Sequence, residues 1–167
     1  MKFHDLVHKR RSVRKFNPSE IDEEALVRIV EAGRVAPSGM NVQDREFIII
    51  QDKDILEQLE AKVQKGFANA AAAVGIIMKP EGTDYWKEDA AAAAQNMLLA
   101  IVEEGYDSVW VEGTLLRQEA WARDMLSIPD DRRLYVLLPI GKPASEDATQ
   151  APKAELKDIL HWDKYRA

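Results

Sequence analysis

The stretch from Ala90 to Val102 sets the narrowest condition on this fold. It forms the middle of a long helical segment over 85–104, and it is apolar on every side except at Gln95 and Asn96. A surface helix keeps one polar face for water, so a helix of this kind is buried, either centrally or in a subunit interface. The two amides within it need partners, in neighbouring loops or across such an interface. Gly105 ends the segment.

Around this helix, strands alternate with helices. Residues 3–9 read as a short helix. Asp22 is a candidate N-cap, with Ile21 and Leu26 at the N′ and N4 positions of a hydrophobic staple. Ala25, Leu26, Ile29, Val30 and Gly33 give the face of the helix that follows. The continuous run Phe47–Ile50 predicts a strand buried on both faces. Asp52 caps a helix over 53–65, and Val74–Met78 is a second buried strand, ended by Pro80. Ser108–Val111 is a third, short strand, and residues 114–126 form a helix. Leu134–Ile140 is a fourth strand, which Pro139 assigns to an edge or a strand end. Residues 153–161 form a final helix. This order predicts an α+β domain with an α/β-type mixed sheet between helical layers. With 167 residues and no repeat, linker or low-complexity tail, one domain over 1–167 is expected.

Composition removes several function classes. An apolar share of 46% and a charged share of 31% suit a soluble globular protein. No apolar run of about 18 residues exists, so no membrane span is expected. Met1–Asp5 lacks an apolar signal core. The absence of cysteine excludes disulfides, thiolate metal sites and a thiol nucleophile, and a cytoplasmic location is expected. A net charge of −6 argues against nonspecific nucleic-acid binding. His4, His8 and His161 have no metal-ligand spacing, so no metal is expected. The glycine motifs of dinucleotide folds, phosphate loops and nucleophile elbows do not occur. Trp86, Trp110, Trp121 and Trp162 read as core or interface residues, and any one could wall a flat ring.

Three stretches carry chemistry. The first is Arg10-Arg11-Ser12-Val13-Arg14-Lys15-Phe16, a cationic cluster on an acidic background. Guanidinium forks match phosphate oxygens bidentately, and a hydroxyl between them adds a neutral donor. The same charges also read as a solvated basic stretch paired with acids elsewhere. The second is Ala36-Pro37-Ser38-Gly39-Met40-Asn41-Val42-Gln43. Its hydroxyl and amides suit a sugar alcohol or a heterocycle edge; it is equally a turn whose Ser38 and Asn41 cap backbone groups. The third is Glu112-Gly113, past a strand and before a helix. Free N–H groups and a glycine there let a flat ligand approach the backbone; the alternative is a plain strand-to-helix turn with Thr114 as N-cap. Together these stretches outline a site for a phosphorylated cofactor.

At these residues the chain resembles the FMN-dependent nitroreductase family. Arg10–Phe16 is similar to that family's R-R-S-x-R-x-F, and Ala36–Gln43 to its A-P-S-x-x-N-x-Q-P-W loop. Asp89–Ala100 resembles its long central helix, Trp110–Gly113 its backbone near the flavin, and Leu137–Pro143 its late strand. The resemblance implies a nitroreductase-like fold, dimeric, with the flavin at the interface and helix 90–102 as the dimer element. It implies that Arg10, Ser12 and Arg14 hold the FMN phosphate and ribityl chain, with Arg11 near them. Pro37, Ser38, Gly39 and Asn41, with Gln43, would line the ribityl and ring side, the bend closing over the flavin that the arginines grip. Glu112 and Gly113 would offer backbone near flavin N5 or O4, and Lys153 would stand in for an arginine directed at the phosphate.

The implied activity is an oxidoreductase. NADH or NADPH reduces the flavin, and an electron-poor small molecule such as a nitroaromatic or a quinone then takes the electrons. The chemistry lies at FMN N5, and no catalytic side chain is implied. The alternatives are an FMN-binding protein with a dedicated role (dehalogenation, cofactor modification, flavin storage or sensing) and an anion- or nucleotide-binding module using the same arginines. The chain departs from the family pattern in three places. Asp44-Arg45 replaces Pro-Trp after the loop, little chain follows Tyr165, and the excursion Lys79–Lys87 ahead of the long helix is short, which predicts an open acceptor pocket.

Overall fold

The computed structural model describes residues 2–145 and 150–165. In chain order the elements are α1 (Phe3–Lys9), β1 (Phe16–Asn17), α2 (Glu23–Arg34), β2 (Arg45–Ile50), α3 (Lys53–Lys62), β3 (Ala72–Met78), α4 (Trp86–Glu103), β4 (Asp107–Ser108), α5 (Gly113–Leu116), α6 (Glu119–Met125), β5 (Arg133–Pro143) and α7 (Leu156–Ile159). The strands form one sheet in the order β1-β5-β3-β2, with β4 also on β5. Every ladder is antiparallel. A parallel bridge joins Ser12 to Ser108.

Strand β3 is buried along its whole length, because helices cover both faces of the sheet. Val74, Ile76 and Met78 pack with Leu26 and Ile29 of α2 and Met97 and Ile101 of α4. Ala73 and Ile77 pack on the other face with Leu56 and Leu59 of α3, Leu115 and Ala122. The staple residues Ile21 and Leu26 are both buried, although the Asp22 side chain makes no capping bond. Asp52 does cap α3, accepting the Ile55 N–H at 3.0 Å.

Four expectations need correction. Strand β2 lies at the sheet edge, so of its residues only Ile50 is fully buried. Strand β5 is central despite Pro139. The Pro139 nitrogen lies on the side that faces β4, between the Leu137–Val111 and Ile140–Ser108 pairings. In that register Val109 stands opposite Pro139, and among the described residues no bridge forms there, so the proline interrupts the β4 side of the ladder and leaves the β3 side paired. The helix expected over 114–126 is two helices, α5 and α6, broken at Arg117–Gln118. The final helix is only Leu156–Ile159, with exposed chain on either side.

Helix α4 buries Ala90, Ala93, Ala94, Met97, Leu98, Ile101 and Val102. Ala91, Ala92 and Leu99 are half-buried and Gln95 is exposed, so its apolar girdle is only partly covered within one chain. Asn96 donates to the Ala32 carbonyl at 3.1 Å. Among the described residues, no helix is long and apolar enough to cross a membrane.

Candidate functional site

Past Arg10, at the C-cap of α1, the chain runs extended beside β4, and the Val13 N–H donates to the Ser108 carbonyl at 2.9 Å. Alternation along an extended chain sorts Arg11 to Arg14, and it slips by one residue at Lys15. Val13 and Phe16 are buried with Ala70, while Ser12, Arg14 and Lys15 face outward. Arg11 turns inward and pairs with Asp107 at 3.2 Å. Gln150 donates to the Val7 and Arg10 carbonyls, which docks the C-terminal stretch against the same corner. The result is a polar hollow of about 280 Å³ lined by Arg10, Arg11, Ser12, Arg14, Gln150, Ala151 and Lys153. Among the described residues, Arg10, Arg14 and Lys153 form no ion pair. Three uncompensated cations facing one hollow suit a dianionic ligand.

Arg14 also lines two adjoining hollows. One is shared with Ser12, Lys15 and Ala144, and the other with Glu60, Gln64, Gly66 and Asn69. The three make a trough that leads away from the cationic mouth. Gly66 takes φ +113, and a Cβ there would stand 2.8 Å from the Arg14 carbonyl oxygen, so glycine lets the two segments touch. Glu60 holds this turn, accepting the N–H groups of Gly66 and Ala68.

Gln64 escaped the sequence reading. Its Oε1 accepts from the Thr114 hydroxyl at 3.4 Å, while its Nε2 is buried with no partner among the described residues. Thr114 follows Gly113, so the trough ends beside the third predicted stretch. No motif surrounds Gln64; only its fold neighbours expose it.

Val111 bridges to Leu137 of β5, and the Glu112 carboxylate then accepts the Trp110 Nε1–H at 2.9 Å, near the Tyr135 phenol. Burial first, and then this carboxylate, push the Tyr135 phenol up to about 12. Glu112 also borders a separate hollow of about 330 Å³ with Trp86, Lys87 and Tyr135. Gly113 opens α5, and a Cβ there would meet nothing within 4 Å. Its backbone is open to a flat ligand.

The Ala36–Gln43 loop lies elsewhere. It enters β2 at Arg45, level with Met78 and Arg133, whereas Ser12 is level with Ser108, Ile140 and Ala72. With about 3.4 Å per residue along β3 and about 4.8 Å per strand across the sheet, the two motifs stand roughly 25–30 Å apart. Helix α4 gives a second ruler. Gly39 bonds Asp89 near its N-terminus, and Arg11 bonds Asp107 beyond its C-terminus; at about 1.5 Å per residue that is at least ~20 Å. The expected closure of the bend over the arginines therefore does not happen within one chain. Pro37, Asn41 and Gln43 are exposed, and Ser38 is half-buried with its hydroxyl oxygen unpartnered.

These residues fit FMN in their donor set. The mouth supplies cations for a phosphate, Gln64 an orphaned amide for a heterocycle edge, and Gly113 an unobstructed backbone. Among the described residues, no group of three His, Asp or Glu side chains could hold a metal.

Comparison with known proteins agrees with this geometry. The model described as Nitroreductase family matches residues 7–81 and 71–142. A protein of Archaeoglobus fulgidus, named for NADH dehydrogenase/NAD(P)H nitroreductase activity, is 30% identical over 96% of this chain and 97% of its own length. A similarly named crystal structure from Bacteroides thetaiotaomicron superposes with a TM-score of 0.88 at 27% identity, covering 97% of each chain. An FMN-dependent nitroreductase from Clostridium difficile superposes with a TM-score of 0.86 at 27% identity, covering 96% of this chain and 98% of that one. With the family pattern matched from α1 into β5 and a relative aligned almost end to end, the chain belongs to the nitroreductase family.

Proposed function

We propose that this protein is an FMN-dependent oxidoreductase that takes electrons from NADH or NADPH and passes them to an electron-poor small molecule, a nitroaromatic or a quinone. The observation that carries this reading is the trough itself, with Arg10, Arg14 and Lys153, unpaired among the described residues, at one end and the Gln64 amide, likewise without a partner among them, beside Gly113 at the other. The names of the relatives support it. When bound, FMN supplies hydride acceptance at N5 and electron delivery to the acceptor.

The chain's own residues bind and orient. Arg10, Arg14 and Lys153, with the Ser12 hydroxyl, hold the phosphate, and Arg11 stays on Asp107, shaping the mouth. Gln64 bonds the heterocycle edge. The Glu112-Gly113 backbone would meet N5 and O4, and the Trp110 bond to Glu112 keeps it in place. Cations and backbone donors near the ring favour the negative charge that reduction creates; no side chain is assigned as acid or base.

The loop's separation from the arginines supports a symmetric homodimer. One chain's Ser38, Gly39 and Asn41 would cover the flavin held by its partner's arginines, with Pro37 and Gln43 at the loop's margins. The half-covered Ala91, Ala92, Gln95 and Leu99 of α4 suit the contact between copies. Exposed Leu156, Ile159 and Trp162 suit it as well. Each copy, over 1–167, acts as one FMN-binding unit.

The test is direct. The purified protein should be yellow, or become so with added FMN, and should bleach on anaerobic mixing with NADH or NADPH and recolour with a quinone. A protein that stays colourless after FMN addition refutes the reading. One that binds FMN but bleaches with neither nucleotide refutes the reductase part alone.

A further inference from the structure

Where the family's loop continues with Pro-Trp, this chain has Asp44-Arg45. Arg45 opens β2 and folds back against the loop. Its Nη1 donates to the Pro37 carbonyl at 3.0 Å and the Asp89 carbonyl at 3.1 Å, and its Nη2 donates to the Ala36 carbonyl at 2.5 Å. From the other flank, the Asp89 carboxylate accepts the Gly39 N–H at 2.8 Å through Oδ1. Asp89 is only 4% exposed, in the first turn of α4, where the helix dipole favours its charge. Its Oδ2 and the Ser38 hydroxyl are buried without a partner in this chain.

Between these flanks the loop holds two successive residues in the left-handed region, Met40 at φ 50 and Asn41 at φ 57. Residues other than glycine keep such a conformation where the surroundings enforce it. Gly39 is pressed on Tyr85 so closely that a Cβ would stand 2.7 Å from the ring. The enforcing groups are Arg45 on the incoming carbonyls and Asp89 on the Gly39 amide. Burial lowers the Arg45 pKa, and the Asp89 charge opposes that effect. A lysine, a point charge on a single stem, cannot serve three carbonyls as the planar fork does.

We infer that Arg45 and Asp89 are positioning residues, a two-sided clamp that holds residues 36–41 in the shape in which Ser38 and Asn41 meet the flavin. The inference rests on the reading that this loop covers a flavin held by the partner subunit. The clamp acts on the ribityl and ring side and leaves the phosphate end alone.

The experiment is fluorescence-quenching titration of FMN and of riboflavin, which lacks the phosphate, against wild type, R10A, S38A, R45K, D89N, S38A/R45K and S38A/N41A. R45K and D89N should each weaken both flavins by the same factor, about tenfold for R45K, while R10A weakens FMN selectively. S38A should weaken both flavins in the wild-type background and add little once Arg45 is lysine. Far-UV circular dichroism and melting temperature establish that each variant is folded; if R45K does not fold, D89N, which keeps the side chain's size, makes the same comparison. Wild-type affinity in the folded clamp variant alongside a weakened S38A overturns the clamp and leaves the loop reading standing. Selective loss of FMN in the clamp variant also overturns it. Wild-type affinity in both S38A and S38A/N41A removes the loop reading and the inference with it.

Discussion

Arg10 and Arg14 face the same hollow, and among the described residues no carboxylate pairs with them. Removing either guanidinium should cost FMN binding about 1.5–3 kcal/mol. Equilibrium titration of R10A and R14A should therefore show affinities at least about tenfold weaker, since 1.4 kcal/mol is about a factor of ten. Gly113 gives a cleaner separation of stability from binding. Because nothing lies near its missing Cβ, G113V should change the stability of the flavin-free protein by under about 0.5 kcal/mol yet weaken flavin binding, read by melting and titration side by side. Tyr135 supplies a pH signature. Its phenol is raised to about 12 in the folded protein, so the folded state keeps a proton that the unfolded chain loses near the ordinary tyrosine value of about 10. The stabilisation is complete below that value and disappears as pH rises toward 12. Wild type should therefore lose melting temperature through this window faster than Y135F. The arginines and Gly113 were legible because charge and missing side chains are local properties of sequence. Gln64 and the Arg45–Asp89 pair were not, since they acquire meaning only when α3 meets α5 and when β2 meets α4.

Among the elements, the turn after α3 couples fold to site. Gly66 is held at φ +113 against the Arg14 carbonyl, so G66A strains its own backbone and pushes Arg14 aside. It should destabilise the protein by more than about 1 kcal/mol in denaturant melts and weaken FMN binding in addition. Elements whose identity depends on local pattern were readable in advance: the α2 staple, the Asp52 cap and the wholly apolar β3. Those decided by sheet order were not. The run Phe47–Ile50 resembles a central strand, yet its neighbours put it at the edge. Pro139 resembles an edge residue, yet it sits in a central strand, where it interrupts the neighbouring ladder on one side only. A single expected helix over 114–126 broke at Arg117–Gln118, a position that periodicity alone does not mark.

For the molecule as a whole, the decisive quantity is the roughly 25–30 Å between the arginines and the Ser38 loop. If each flavin is gripped by one copy and covered by the other, two defective chains can repair each other. Co-expressed R10A/R14A and S38A/N41A chains, purified as the mixed dimer through different affinity tags, should hold one tightly bound FMN per two chains, while each parent homodimer holds flavin weakly. Equal weakness in the mixed dimer would mean that both motifs serve a flavin within one chain. The loop and the cationic cluster were each visible in the sequence; that they lie at opposite ends of the sheet was not, because spacing along the chain carries no information about which end of a sheet a segment reaches.

That separation carries a thermodynamic consequence. If the flavin site is split between two copies, cofactor binding and association are linked: dilution that separates the copies should also loosen the flavin, and free flavin should hold the pair together.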